Sequence, residues 1–194
     1  MISHKTIRVS CLLAGALLFS ASAFADDGKG EIAGFGGVTK ISGGVGTHAV
    51  VGGSAGLRVA DHVRVFGEFS MVPLASESLS ESGVTAHGTD RLYHFGGGME
   101  VGFGSSKRVV PYVLVAGGVG HEVVSATAVG GGASATVNLT SNSAYLAGGG
   151  GVRIYAGDNW GIKPEFRYQH YTSTGGGTSY AGVFTFGLFY QFGQ

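Results

Sequence analysis

The sequence predicts an all-β fold, with eight antiparallel strands closing, up and down, into a transmembrane β-barrel. Three observations carry that expectation. Long stretches alternate apolar and polar residues with a period of two, the mark of strands with two unlike faces. Charge is scarce: Asp, Glu, Lys and Arg make up 12% of the 194 residues, about half the usual share of soluble domains. The connections alternate between short polar turns and longer segments, the plan of a barrel with one turn side and one loop side. In addition, 38 glycines lie inside the apolar alternating stretches, with no collagen or linker period, so one strand face has little room.

Residues 1–25 read as an export signal. Lys5 and Arg8 precede the apolar run Cys11 to Ala25, Ala23-Phe24-Ala25 fits a small-residue cleavage pattern, and Asp26-Asp27 follow. The run is shorter than the ~20 residues of a spanning helix. The expected barrel domain is residues 26–194. Cys11 is the only cysteine, so cleavage leaves no thiol for a disulfide or a thiolate metal site. With Lys5 and Arg8 gone, 10 Lys and Arg face 12 Asp and Glu, and nothing is basic enough for nucleic acid.

The strands are expected at Glu31–Ile41, His48–Ala60, Val63–Leu74, Arg91–Gly104, Val110–Val124, Ser143–Ala156, Trp160–Thr172 and Ser179–Phe192. Most exceed the roughly 9–11 residues that a tilted strand needs to cross a bilayer. The second sets Leu57 and Val59 against Arg58. The third sets Val63, Val65, Phe69 and Met71 against Arg64, Phe66, Glu68 and Ser70. The fourth sets Tyr93, Phe95, Met99, Val101 and Phe103 against His94, Gly96, Gly98, Glu100 and Gly102. The sixth sets Val152 and Ile154 against Arg153. In the seventh, Ile162, Pro164, Phe166 and Tyr168 oppose Lys163, Glu165, Arg167 and Gln169. The eighth sets Tyr180, Phe184, Phe186, Leu188, Tyr190 and Phe192 against an uncharged second face.

Short turns are expected at Asp61-His62, Ser105–Arg108 and Gly157–Asn159, and longer loops at "SGGVGT", Ala75–Asp90, Ser125–Asn142 and "STGGGT". Pro164 lacks a ladder donor, so a bulge or an unpaired carbonyl is expected beside it.

Export, scarce charge and loop asymmetry point the apolar faces at lipid and the charged faces into the lumen. Buried charges need partners, and eight strands enclose a lumen that side chains can fill. The expected lumen network is Arg58, Arg64, Glu68, Glu100, Arg153, Lys163, Glu165 and Arg167. Aromatic collars are expected from Phe103, Tyr112, Trp160, Tyr190 and Phe192 at the turn end, and from Tyr93, Tyr168, Tyr171 and Tyr180 at the loop end.

The stretches Val110–Gly120 ("VPYVLVAGGVG") and Asn159–Tyr171 ("NWGIKPEFRYQHY"), with the closing strand "VFTFGLFYQFGQ", resemble the small outer-membrane β-barrel family of OmpA-like and OmpX-like eight-stranded barrels. The resemblance covers the whole chain after the export signal. It implies a bacterial outer membrane, both termini in the periplasm, and contact with outer-membrane lipid and lipopolysaccharide. It also implies a terminal aromatic strand read by the barrel-assembly machinery. Here Gly193 and Gln194 follow Phe192.

The polar residues point to no enzyme. "RYQHYTSTGG" around His170 is similar to part of a lipid A deacylase motif, but Thr172 stands where that motif has Ser, its Asn is absent, and no Asp or Glu follows Glu165 to orient a His. The other histidines form no metal-binding spacing, and neighbouring His121 and Glu122 should point to opposite faces. No cofactor is expected. The expected role is structural, in envelope integrity, or interactive, through four external loops over a plugged lumen. The alternatives are a small channel and, further off, a lipid A-modifying enzyme.

Overall fold

A computed structural model describes residues 30–43, 46–81, 84–103, 108–130, 133–173 and 177–193. The export signal read at residues 1–25 lies outside them. Eight strands form: β1 (Gly30–Ile41), β2 (His48–Ala60), β3 (Val63–Glu81), β4 (Val84–Gly102), β5 (Val109–Gly130), β6 (Ala133–Tyr155), β7 (Trp160–Ser173) and β8 (Thr178–Phe192). Each pairs with the next, and β8 pairs with β1, closing the barrel. All eight pairings are antiparallel. Closure removes the sheet edges within the wall, so every backbone group there can be satisfied without water.

The burial pattern is inverted relative to a soluble protein. Val115 is 59% exposed and Leu188 60%, while Glu100 is 2% and Glu165 4% exposed. Along β8, the outward residues Phe184, Phe186, Leu188 and Tyr190 alternate with buried Val183, Thr185, Phe189 and Gln191. A surface this apolar is stable only against lipid.

Two expected loops are instead strands. β3 and β4 stay in register from Ala75↔Asp90 to Glu81↔Val84, and β5 and β6 from Ser125↔Asn138 to Gly130↔Ala133. The two hairpins also pair with each other, from Asp90↔Val124 to Val84↔Gly130. A four-stranded sheet therefore stands above the barrel rim. The β2–β3 pairing ends at Val51↔Met71 and the β6–β7 pairing at Ser143↔Ser173. About ten residues at about 3.3 Å each give a projection of roughly 30 Å along the strand. Both faces of this sheet meet water, so its sequence lacks the apolar alternation that marks the strands below. Cross-strand pairs hold it instead: Thr127–Thr136 at 3.1 Å, Ser80–Thr85 at 2.8 Å and Ser78–His87 at 2.7 Å.

The register shifts lie at Arg58/Ala60 and Pro73/Ala75. At Pro164 the β6–β7 ladder passes from Gly151↔Glu165 to Ile154↔Ile162 with its register unchanged. The missing N–H leaves a gap in the ladder and no bulge. Inward glycines make room for large side chains. A Cβ on Gly96 or Gly118 would collide with the Tyr145 ring and with backbone of the adjacent strand.

Candidate functional site

The lumen is filled in layers. At the turn end lies a ring of charge built by residues of five strands, β1, β3, β4, β6 and β7. Arg64 binds Glu31 at 2.5 Å and lies 4.0 Å from Glu100. Arg153 reaches Glu31 at 3.2 Å and also pairs with Glu100. Lys163 bridges Glu100 at 2.5 Å and Glu165 at 3.6 Å. Arg167 joins Glu165 to Glu68, the latter at 2.5 Å. Four carboxylates thus face four cations in one continuous chain. Neutral donors fill remaining lone pairs: Tyr112 Oη donates to Glu165 at 2.6 Å and Gln191 Nε2 to Glu31 at 2.9 Å. The Arg153 guanidinium also lies 4.7 Å from the centre of the Tyr112 ring.

Seven of the eight residues expected in this network are brought together. Arg58 is not. It faces Arg64 in the register and lines the turn-side mouth with Asp61 and His62. Among the described residues no carboxylate lies within ion-pair distance of it. Arg64 takes Glu31 at that level, and half-exposed Arg58 can be solvated at the mouth. The sequence reading missed Glu31, a central acceptor. Its signal was parity on β1, where buried Glu31 and Thr39 alternate with exposed Ile32 and Val38.

Two tyrosines assigned to the collars face the lumen. Tyr112 is 2% exposed and bound to Glu165. Both faces of β5 are apolar around it, so alternation could not orient it. Tyr171 is buried and contacts His94 at 3.0 Å and Gln169 at 2.5 Å. It shares the parity of Lys163 to Gln169, which should have placed it inside. Phe103, Trp160, Tyr190 and Phe192 do face outward at the turn end, as do Tyr168 and Tyr180 at the other. His170 stands on the outer face with its ring 4.8 Å from that of Tyr180.

Above the ions, His94 contacts Ser70 at 3.3 Å, and Val50, Val72, Leu92, Ala181 and Val183 form an apolar layer. A cavity of about 20 Å³ beneath the apolar layer and one of about 10 Å³ beside Lys163, Glu165 and Arg167 each have room for a single water at most. Above the apolar layer the mouth opens into a cavity of about 520 Å³ at the base of the projecting sheet, lined by His48, Asp90, Glu122, Ile41, Leu74 and Leu92 among others. Burial, and then the charge of Glu122, raise the Asp90 carboxyl above the ordinary aspartate range. Ser141 donates to Glu122 at 2.8 Å, and His121, on the opposite face, contacts Asn142 at 2.7 Å.

Residues 11–192 match the family described as outer membrane protein beta-barrel domain. This chain belongs to that family. Its place is the outer membrane. Solved barrels share the fold at low identity. Ail, the attachment invasion locus protein of Yersinia pestis, in complex with the heparin analogue sucrose octasulfate, is 18% identical at a TM-score of 0.56, covering 86% of this chain and 99% of that one. Neisserial surface protein A is 17% identical at 0.53, covering 85% and 97%. A major outer membrane protein from Thermus thermophilus is 11% identical at 0.50, covering 85% and 99%. Comparison with curated proteins finds no match.

Proposed function

We propose that this barrel is a surface-contact protein whose lumen is closed and whose projecting sheet binds extended strands of partner molecules. In this reading the termini and short turns lie in the periplasm, β8 with Phe192 is presented to the barrel-assembly machinery, and the outer face contacts lipid and lipopolysaccharide. The observation that carries it is the free side of β6. Among the described residues, Ser134–Ser141 pair with β5 but have no strand on their other side. This edge has no charge, no proline and no register shift. Natural edges normally carry such protection, and an edge without it accepts another strand. Val137 and Leu139 stand 58% and 65% exposed on it, ready to pack with alternate side chains of an added strand. That two of the similar structures are named for attachment and for the cell surface agrees with this reading.

The test is adherence of bacteria displaying the intact protein to cultured host cells, compared with bacteria carrying Val137→Pro or Asn138→Pro. One of the two prolines removes an outward N–H and leaves the β5 ladder intact. That variant should lose most adherence while keeping the mobility shift on boiling of a folded barrel. Unchanged adherence in both variants would sink the proposal. The closed lumen makes a second expectation: planar bilayers containing the protein should show no discrete conductance steps. Regular steps would move the assignment to a channel.

A further inference from the structure

The external cavity differs in kind from the lumen below it. In the lumen every carboxylate of the network has a cationic partner. At the mouth, Asp90 and Glu122 project inward on the parity of Leu92 and Gly120, and neither meets a Lys or Arg among the described residues. Asp90 Oδ1 is shielded from solvent and receives no hydrogen bond. Glu122 receives one, from the neutral Ser141 hydroxyl. The Asp90 carboxyl has the Arg91 backbone N–H and the His48 ring beside it, yet the charge of Glu122 across the same open pocket still disfavours its ionised form.

The rest of the cavity narrows what would relieve them. Ile41, Leu74 and Leu92 supply apolar wall, and the apolar layer beneath stops passage into the lumen. The cavity is a blind pocket, and about 520 Å³ suits a small organic molecule. Among the described residues no three His, Cys, Asp or Glu side chains are placed to hold a metal ion, so a bare divalent cation would lack ligands. A polyanion would face two carboxylates. We infer that the external mouth binds a linear aliphatic polyamine, its ammonium groups on Asp90 and Glu122 and its methylene chain along Leu74 and Leu92. This site is independent of the β6 edge, and each can fail without the other.

The experiment is calorimetric titration of the full-length barrel in detergent micelles with spermidine at low ionic strength. Saturable binding is expected, weakened at least about tenfold by Asp90→Asn or Glu122→Gln, since each removes a charge-assisted hydrogen bond. Asp158→Asn, on the turn at the opposite mouth, should leave it unchanged. The ionised Asp90 carboxyl is disfavoured by its surroundings, so Asp90→Asn should melt no lower than the parent and its weaker binding cannot be ascribed to unfolding. Acidification should weaken binding from a pH above the ordinary aspartate range. Protonation of Asp90 removes negative charge from the mouth, which Glu122, His48 and Tyr171 also line. The inference is overturned by the absence of saturable heat, by full affinity in both carboxylate variants, or by equal competition from magnesium at matched ionic strength.

Discussion

Glu100→Gln should destabilise the barrel by about 3–5 kcal/mol, the range for removing one partner from a buried ion cluster. Glu100 is 2% exposed and receives both Arg153 and Lys163, with Arg64 at 4.0 Å. Without its charge four cations would face three carboxylates in a space too small to hydrate them. Arg153 keeps Glu31 and Lys163 keeps Glu165, so the barrel should still close, with a lower urea midpoint in lipid vesicles. The companion variant Glu100→Met/Lys163→Met restores the balance and replaces a pair with apolar volume. It should recover most of the loss, because desolvating a buried pair offsets much of its attraction. A single variant as stable as the parent would mean that the lumen is hydrated and the pairs are solvent-screened.

Val115→Arg should cost about 2–4 kcal/mol, as cationic substitutions do near the bilayer midplane. Val115 faces outward on β5 between the aromatic collars and is 59% exposed. In a soluble protein the same change at so exposed a site would be almost silent. The internal control is Val129→Arg on the projecting part of β5, where the valine is 50% exposed. That change should stay within about 0.5 kcal/mol, as surface substitutions usually do. The same chemistry at two heights of one strand thus reports where lipid ends. Equal tolerance at both sites would remove the membrane assignment of the outer face.

Strand legibility tracked the environment of each segment. β7 reads out directly, because lipid on one side and paired charge on the other impose opposite chemistry on successive residues. Lys163, Glu165, Arg167 and Gln169 are all buried and Phe166 and Tyr168 are exposed. The segments Ala75–Asp90 and Ser125–Asn142 look like loops in the sequence, because water on both faces erases that contrast. What remains there is β-propensity in Val and Thr and the hairpin composition of Ser82-Gly83 and Gly131-Gly132.

The sequence by itself determined the strand number, the closed antiparallel order and the inward face of the strands that carry charge, since those follow from a period of two, connection length and the scarcity of charge; β5, apolar on both faces, it left unoriented. The tertiary structure alone decided the partners. Glu31 and Arg153 lie 122 residues apart, and Glu68 and Arg167 lie 99 apart. They meet only because the β1–β8 seam closes with Glu31 opposite Gln191. Where the two faces differ in chemistry, alternation says which side of the wall a residue occupies. Its height in the lumen and its neighbour across it depend on strand stagger and barrel closure, which no single strand encodes. The same holds for the free edge of β6, which exists because β7 ends its pairing at Ser143↔Ser173 while β5 continues to Gly130↔Ala133.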